Sequence, residues 1–354
     1  MRVAIVARTA KRRGGTETYL FDLVRGFRAA GHTVDVFAGA DSRDSPARAA
    51  GATMRVWPLG LVPTTIRPWA LRAAIGAALR REAYDLTISL ARVNGQHLAI
   101  CGGTHRGCLL ATKQPLGLRD RSEIALEERC YRESEMNVAH SRRMADELIE
   151  LYGVAPQRVC VVYPPVDSSV FHPTAQDRRQ ELKRQFGFSP DVTTILFPST
   201  SHVRKGLPLL AEAFAGLPAG QFELAVAGSK PSGAAGEANV KYLGFVRNMA
   251  ELYHAADATA LPAQYEPFGL VVPESIACGT PVVTAAHVGA SEIMTPTCGV
   301  VLPEVSAATL REALLRIRRE RFAIPPDFVV RQGLDLAGHI ARLIAARPAI
   351  RQAA

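Results

Sequence analysis

Residues 258–284 leave this chain little freedom in how it folds. Ala258-Thr259-Ala260-Leu261-Pro262 is a short apolar run of the kind that forms a buried strand. It delivers Tyr265-Glu266-Pro267-Phe268-Gly269, a carboxylate followed by a proline- and glycine-containing turn, after which Leu270 to Ala277 reads as a helix. Cys278-Gly279-Thr280-Pro281 stops that helix, because glycine closes a helix end and proline cannot extend one. Val282-Val283-Thr284 returns as a second short strand, so the local reading is strand, turn, helix, strand.

The chemistry of that turn follows from its geometry. A helix that starts after a glycine-containing turn exposes unpaired N–H groups at the positive end of its dipole, which suits an anion. Glu266 stands just outside that end, where it can meet sugar hydroxyls. Glu274, eight residues later, stands one to two turns inside, where its acceptor oxygens suit a pair of ribose hydroxyls. A diphosphate, a hexose and a ribose are the parts of a nucleotide-sugar. The two glutamates make a poor glycosidase pair: eight helical residues span about 12 Å, beyond the roughly 5–9.5 Å such pairs need.

The remaining chain alternates in the same way. Val3-Ala4-Ile5-Val6-Ala7 is a buried strand. Lys11-Arg12-Arg13-Gly14-Gly15-Thr16-Glu17 leads into an amphipathic helix from Tyr19 to Phe27, and Thr33-Val34-Asp35-Val36-Phe37 is the next strand. The βαβ start lacks the Gly-x-Gly-x-x-Gly spacing of a dinucleotide site. Lys11, Arg12 and Arg13 either guide an anionic acceptor or form a solvated basic loop. Arg67 to Glu82 is a basic helix with Leu71, Ile75 and Leu79 on one packing face. Tyr84–Leu90 and His97–Cys101 are strands, and the second leads to His105, just past a strand end where open α/β sheets place ligands. Residues 108–119 mix apolar and basic side chains with little order, which fits either contact with a lipid-linked acceptor or membrane face, or a surface loop. Ser122–Ser134 and Ser141–Tyr152 read as helices around the strand Asn137–His140, with Ser141 as a cap. In the second half, Thr193–Ser199, Phe222–Gly228 and Lys241–Val246 are strands, Asn248–Ala256 and Leu334–Ala346 are helices, and Arg204-Lys205-Gly206 enters a helix where its cations need an anion.

At 354 residues the chain suits two domains, and 48% hydrophobic content fills two cores. No run approaches the roughly 18 apolar residues of a membrane span, and the N-terminus is too short for a signal peptide, so cytoplasmic residence is expected. The six cysteines show no Cys-x-x-Cys or zinc spacing, and no Asp-x-Asp is present to hold a metal on a diphosphate. The net charge is +9, and residues 1–170 carry 24 Lys and Arg against 17 Asp and Glu. That excess points to a phosphate-rich partner: nucleic acid, an anionic membrane surface or a phosphorylated acceptor. The aromatic–basic interleaving that stacks bases is missing, so nucleic acid is not expected.

Pro267-Phe268-Gly269, Glu274 and Gly279-Thr280-Pro281-Val282-Val283 follow Glu266 in the order of the Glu-x7-Glu signature, and the stretch resembles that of the retaining family-4 glycosyltransferases. Gly14-Gly15-Thr16-Glu17, Gly31-His32-Thr33-Val34, the paired prolines at 164–165 and Arg204-Lys205-Gly206 resemble further family features. The resemblance implies an α/β GT-B fold, two Rossmann-like domains whose parallel sheets face a central cleft. It places an N-terminal, acceptor-binding domain at 1–167 and a C-terminal, nucleotide-sugar-binding domain at 168–333, with the helix of 334–354 packing back on the first. It implies that Glu266 and the backbone N–H groups at Phe268, Gly269, Leu270 and Val271 hold sugar and phosphate. Arg204 and Lys205 then neutralise the diphosphate, Glu274 binds ribose, and backbone at Phe245 and Val246 meets the base. Gly15 and His105 are expected to face the reacting sugar. The donor is expected to be a UDP-sugar, with no metal and no cofactor. The opening and the short basic chain look most like the lipopolysaccharide-core hexosyltransferases, with an anionic glycan or lipid-linked acceptor and contact with the inner-membrane surface. A UDP-sugar 2-epimerase of GT-B fold and a non-enzymatic nucleic-acid binder remain as alternatives.

Overall fold

The computed structural model describes residues 1–11, 14–42, 45–229 and 239–347, and the elements below are those of these residues. The chain divides into two compact units, Met1–Pro165 together with the chain from Leu334 onward, and Val166–Gly333.

The first unit is built on seven parallel strands: β1 Arg2–Ala7, β2 Thr33–Ala38, β3 Thr53–Val56, β4 Leu86–Ser89, β5 Leu98–Cys101, β6 Met136–Ala139 and β7 Val159–Val161, in the order β3-β2-β1-β4-β5-β6-β7. Helices cover both faces, so the strands are apolar on both sides and read as continuous runs. On one face Val3, Ile5, Val34 and Val36 pack with Leu20, Leu23 and Phe27 of the helix Gly15–Ala29 and with Ile340 and Leu343 of the C-terminal helix Leu336–Ala346. On the other, Ala4, Val6 and Phe37 receive Leu71, Ile75 and Leu79 of the helix Arg67–Arg81, the packing face expected from its periodicity. The C-terminal helix approaches closely at Gly26, where a Cβ would lie 2.6 Å from Ile340 Cγ1.

A buried polar joint fastens that helix. His339 Nδ1 donates to the Tyr163 carbonyl oxygen at 2.9 Å, which leaves Nε2 of the neutral ring as an acceptor for the Tyr19 hydroxyl at 2.8 Å. His140 meets the Tyr19 ring edge-on with centroids 4.8 Å apart. Burial lowers the His140 pKa to about 3 and that of His339 to about 4.

The second unit holds six parallel strands, β8 Thr193–Ser199, β9 Phe222–Gly228, β10 Val240–Gly244, β11 Ala258–Leu261, β12 Val282–Ala285 and β13 Gly299–Leu302, ordered β10-β9-β8-β11-β12-β13. Every residue of β8 is buried. In both sheets the order reverses beside the first strand, between β1 and β4 and between β8 and β11. In open α/β sheets, ligands bind outside the carboxyl ends of the strands at such a switch point.

Residues 108–119 depart from the irregular stretch read in the sequence. The helix His105–Ala111 takes up their first part, and Leu118 opens a helix that runs to Glu133. The Thr104 hydroxyl accepts from Gly107 N–H at 3.0 Å and starts the first of these helices, a capping signal that outweighs the mixed composition behind it. Leu110, Leu116 and Leu118 stay 64%, 52% and 85% exposed. No helix of the described residues is long and apolar enough to cross a membrane.

Candidate functional site

The chain leaving β8 and the chain leaving β11 meet at the switch point of the second unit. After β8, a single helical turn, His202–Lys205, carries Arg204 and Lys205 in its last residues and is closed by Gly206 at φ +92°. The two cations therefore sit at the end of a short turn and not at a helix N-terminus. The next helix, Leu207–Ala215, starts only after that glycine. A Cβ on Gly206 would lie 2.2 Å from the Pro262 carbonyl oxygen, so glycine is what lets the two segments touch. Gln264 N–H closes the junction by donating to the Arg204 carbonyl at 2.8 Å.

The junction gathers three charges. Arg204 Nη1 donates to the Tyr265 carbonyl and lies 3.4 Å from Glu266 Oε2, and Lys205 Nζ lies 3.7 Å from the same oxygen. One carboxylate faces two cations, so the cluster keeps a net positive charge. The turn behind it is fixed by Gly269 at φ +91° and by two backbone bonds from a 3₁₀ turn: Gly289 N–H to the Glu266 carbonyl at 3.2 Å and Ala290 N–H to the Phe268 carbonyl at 2.8 Å. The N–H groups of Gly269 and Leu270, ahead of the helix Val271–Ala277, have no partner among the described residues. Glu274 lies in that helix, where its Oε2 accepts from the Tyr253 hydroxyl at 2.9 Å. Tyr253 is wholly buried, and desolvation, reinforced by the Glu274 charge, raises its pKa well above the usual phenol value. The hydroxyl stays a donor and fixes the carboxylate.

Arg204, Lys205 and Glu266 are thus brought together, with Gly269 against the Glu266 side chain at 3.1 Å for an added Cβ. Phe245 and Val246 follow the edge strand β10. Phe245 is 87% exposed, while Val246 packs against the Leu252 and Tyr253 cluster. Tyr253 was missed in the sequence, where it is one apolar position of a helix, and nothing local signals a partner 21 residues away.

In the first unit, Gly15 is the exposed first residue of its helix, behind Gly14. Arg12 and Arg13 lie outside the described residues. His105 begins its helix with the backbone N–H on the Glu127 carboxylate at 2.9 and 3.1 Å, and its Nε2 lies 2.8 Å from Asp120 Oδ1. The His105 contact, with Gly117 N–H on the other oxygen at 2.8 Å, holds the Asp120 carboxyl below its usual range. Glu127 is 0% exposed and satisfied by Arg92 Nε at 3.0 Å, the Tyr152 hydroxyl and His105. Arg92 also reaches Glu123 at 3.1 Å. A cavity of about 690 Å³ opens here, lined by Arg8, Arg92, His105, Arg119, Asp120 and Glu123. Its acidic members, Asp120 and Glu123, went unread because a helix sequence does not reveal which of its carboxylates will face a cavity. Among the described residues, no group of three or more His, Cys, Asp or Glu side chains is placed to hold a metal ion.

Comparison with known proteins bears on both units. Residues 13–170 match the family model described as Glycosyltransferase Family 4, and residues 178–323 match Glycosyl transferases group 1. The chain is 37% identical to a probable transglycosylase of Burkholderia thailandensis, over 97% of its own length and 96% of the relative's. It is 30% identical to a D-inositol 3-phosphate glycosyltransferase of Geodermatophilus obscurus, over 86% and 78%. Its fold resembles that of WaaG, a glycosyltransferase involved in lipopolysaccharide biosynthesis, with a TM-score of 0.78, 20% identity and coverage of 99% and 98%. It also resembles Anabaena Alr3699/HepE, solved with UDP and glucose, with a TM-score of 0.71, 19% identity and coverage of 100% and 98%.

Proposed function

This chain belongs to the family-4 glycosyltransferases, with the GT-B pair of Rossmann-like units, and from that premise we propose that it moves a hexose from a UDP-sugar to an anionic glycan of the cell envelope, such as lipopolysaccharide core, with retention at the anomeric carbon and without a metal. The observation that carries the donor half is the cluster of Arg204, Lys205 and Glu266 at the switch point between β8 and β11, with its net positive charge. That charge suits the diphosphate, the Gly269 turn suits a phosphate or sugar oxygen, and Glu274, oriented by Tyr253, suits the ribose hydroxyls. HepE, a protein of the same fold, binds UDP, which supports uracil as the base.

In the proposed reaction, the acceptor hydroxyl attacks the anomeric carbon on the face from which the diphosphate departs. The bond from that carbon to the phosphate oxygen breaks, and the leaving phosphate takes the hydroxyl proton. Arg204 and Lys205 stabilise the charge that develops on the diphosphate, and Glu266 orients the sugar through its hydroxyls. His105 and Gly15 face the reacting sugar, and the first unit serves the acceptor side. The exposed Leu110, Leu116 and Leu118, interspersed with Lys113, Arg119 and Arg121, favour a lipid-linked acceptor met at the cytoplasmic face of a membrane.

Thermal shift against a panel of nucleotides and nucleotide-sugars, without added metal, tests the donor site. UDP at one hundred times its dissociation constant adds about 2.7 kcal/mol of stability. Glu274→Ala is expected to lose the shift. A wild-type chain that responds to no nucleotide, or a variant that responds equally, rules the donor site out.

A further inference from the structure

We propose that Asp120 is a positioning residue that fixes which nitrogen of the His105 ring carries the proton, so that Nδ1 accepts a hydrogen bond from a hydroxyl of the transferred sugar. The proposal rests on the reading that His105 faces the reacting sugar. It adds the ring atom that meets the sugar, the polarity of that contact and the residue that sets it.

One helix holds His105 at two points. Asp120 and Glu127 stand seven residues apart in the helix Leu118–Glu133, close to two full turns, so both carboxylates come to the start of the helix His105–Ala111. Glu127 takes the His105 backbone N–H at 2.9 and 3.1 Å, and Asp120 takes the ring, with Nε2 2.8 Å from Oδ1. Both carboxylates are anchored in turn. Glu127 is 0% exposed and bonded to Arg92 and Tyr152, and the second Asp120 oxygen accepts from Gly117 N–H at 2.8 Å.

The ring contact decides where the proton lies. The His105 bond, with the Gly117 N–H behind it, holds the Asp120 carboxyl below its usual range, so the group is ionised at neutral pH. An ionised carboxylate only accepts. Nε2 therefore carries the proton of the neutral ring, and Nδ1 keeps its lone pair. Nδ1 has no hydrogen-bond partner among the described residues and is not buried, and the ring lines the cavity. A lone pair takes a hydrogen bond from a hydroxyl and repels the oxygens of an ionised carboxylate or a phosphodiester, which carry no proton. His105 thus reads a sugar hydroxyl and not an anion, although Arg8, Arg92 and Arg119 line the same cavity.

Asp120→Asn separates this role from a structural one. The amide has nearly the same shape but one accepting oxygen for two donors. With that oxygen kept on Gly117 N–H, the amide N–H points at Nε2, which must then be unprotonated, and the ring proton moves to Nδ1. Long-range proton–nitrogen correlation NMR at neutral pH distinguishes the two forms, with the His105 signals assigned by His105→Asn. The wild-type ring is expected to be protonated at Nε2, the Asp120→Asn ring at Nδ1, and the Asp120→Ala ring to be a mixture. UDP, UDP-glucose and UDP-galactose are then titrated. At least one UDP-hexose is expected to shift the wild-type Nδ1 resonance where UDP does not, and to bind about tenfold more weakly to Asp120→Asn. UDP itself is expected to bind both alike. A chain that binds no UDP overturns the donor reading and the sugar contact with it, while the ligand-free spectra still decide the part of Asp120. A wild-type ring protonated at Nδ1 or at both nitrogens, an unchanged pattern in both Asp120 variants, or a UDP-hexose that binds without moving Nδ1 overturns the proposal.

Discussion

Gly206 and Gly269 share a left-handed backbone but differ in what surrounds them. At Gly206 an added Cβ would strike a carbonyl oxygen, Pro262 O, at 2.2 Å, and backbone cannot step aside. At Gly269 the nearest atoms are side-chain carbons, Leu261 Cδ2 at 3.0 Å and Glu266 Cγ at 3.1 Å, which can shift by a few tenths of an ångström. Gly206→Ala is therefore expected to cost more than about 2 kcal/mol, and Gly269→Ala about 1 kcal/mol, in urea unfolding. The opposite ranking would show that the two segments do not meet as described. At the same scale, Lys205→Ala removes one of two cations from the diphosphate site. It is expected to lower kcat about a hundredfold, on the order of 3 kcal/mol, with no comparable loss of stability, because Lys205 contributes only a 3.7 Å contact to the folded cluster. A variant with unchanged kcat in steady-state assays would remove Lys205 from the transition state.

At the scale of the element, the helix His105–Ala111 depends on its cap. Thr104 accepts from Gly107 N–H and donates to Glu147, a nearly buried carboxylate, so one hydroxyl both starts the helix and satisfies a charge behind it. Thr104→Ala is expected to cost about 1–2 kcal/mol, at the upper end for a lost cap, and to lower kcat by letting His105 turn away from Asp120. Thr104→Ser keeps the hydroxyl and should recover both. Denaturant melts and kinetics on the pair separate the cap from the methyl group. If serine fails as alanine does, packing and not capping holds this element.

Across the whole molecule, the joint of Tyr19, His140 and His339 ties the C-terminal helix to the first unit and makes stability depend on pH. Both histidines are held neutral by burial, with folded pKa values of about 3 and about 4, against about 6.5 in an unfolded chain. Between those values the unfolded state binds more protons than the folded one, so stability rises with pH. Acidification from pH 6.5 toward pH 4 is expected to remove stability at up to about 1.4 kcal/mol per pH unit for each histidine. His339→Gln should flatten this dependence by about half, measured as Tm against pH. A wild-type profile that is flat over that range would mean that both rings are accessible to protons in the folded chain.

The sequence by itself determined what is local. Continuous apolar runs marked β1, β2, β8, β9 and β11 within a residue or two of their observed ends. Ser141 was read as a cap and accepts from Met144 N–H at 3.2 Å, and the α/β class with two Rossmann-like halves followed from the runs together with the family motif. Backbone preference and side-chain periodicity act over a few residues, so a sequence displays them. Where local signals competed, as between the Thr104 cap and the mixed composition of residues 108–119, the wrong one was followed. Partnership was decided only by the tertiary structure. Glu266 finds Arg204 across 62 residues, Tyr19 finds His339 across 320, and Arg8 and Arg119 come to line one cavity, because strand order sets which loops lie side by side. The return from β10 to the far side of β8 makes β11 its neighbour, and that order is chosen by the sum of buried faces, not by any stretch of chain that can be read alone.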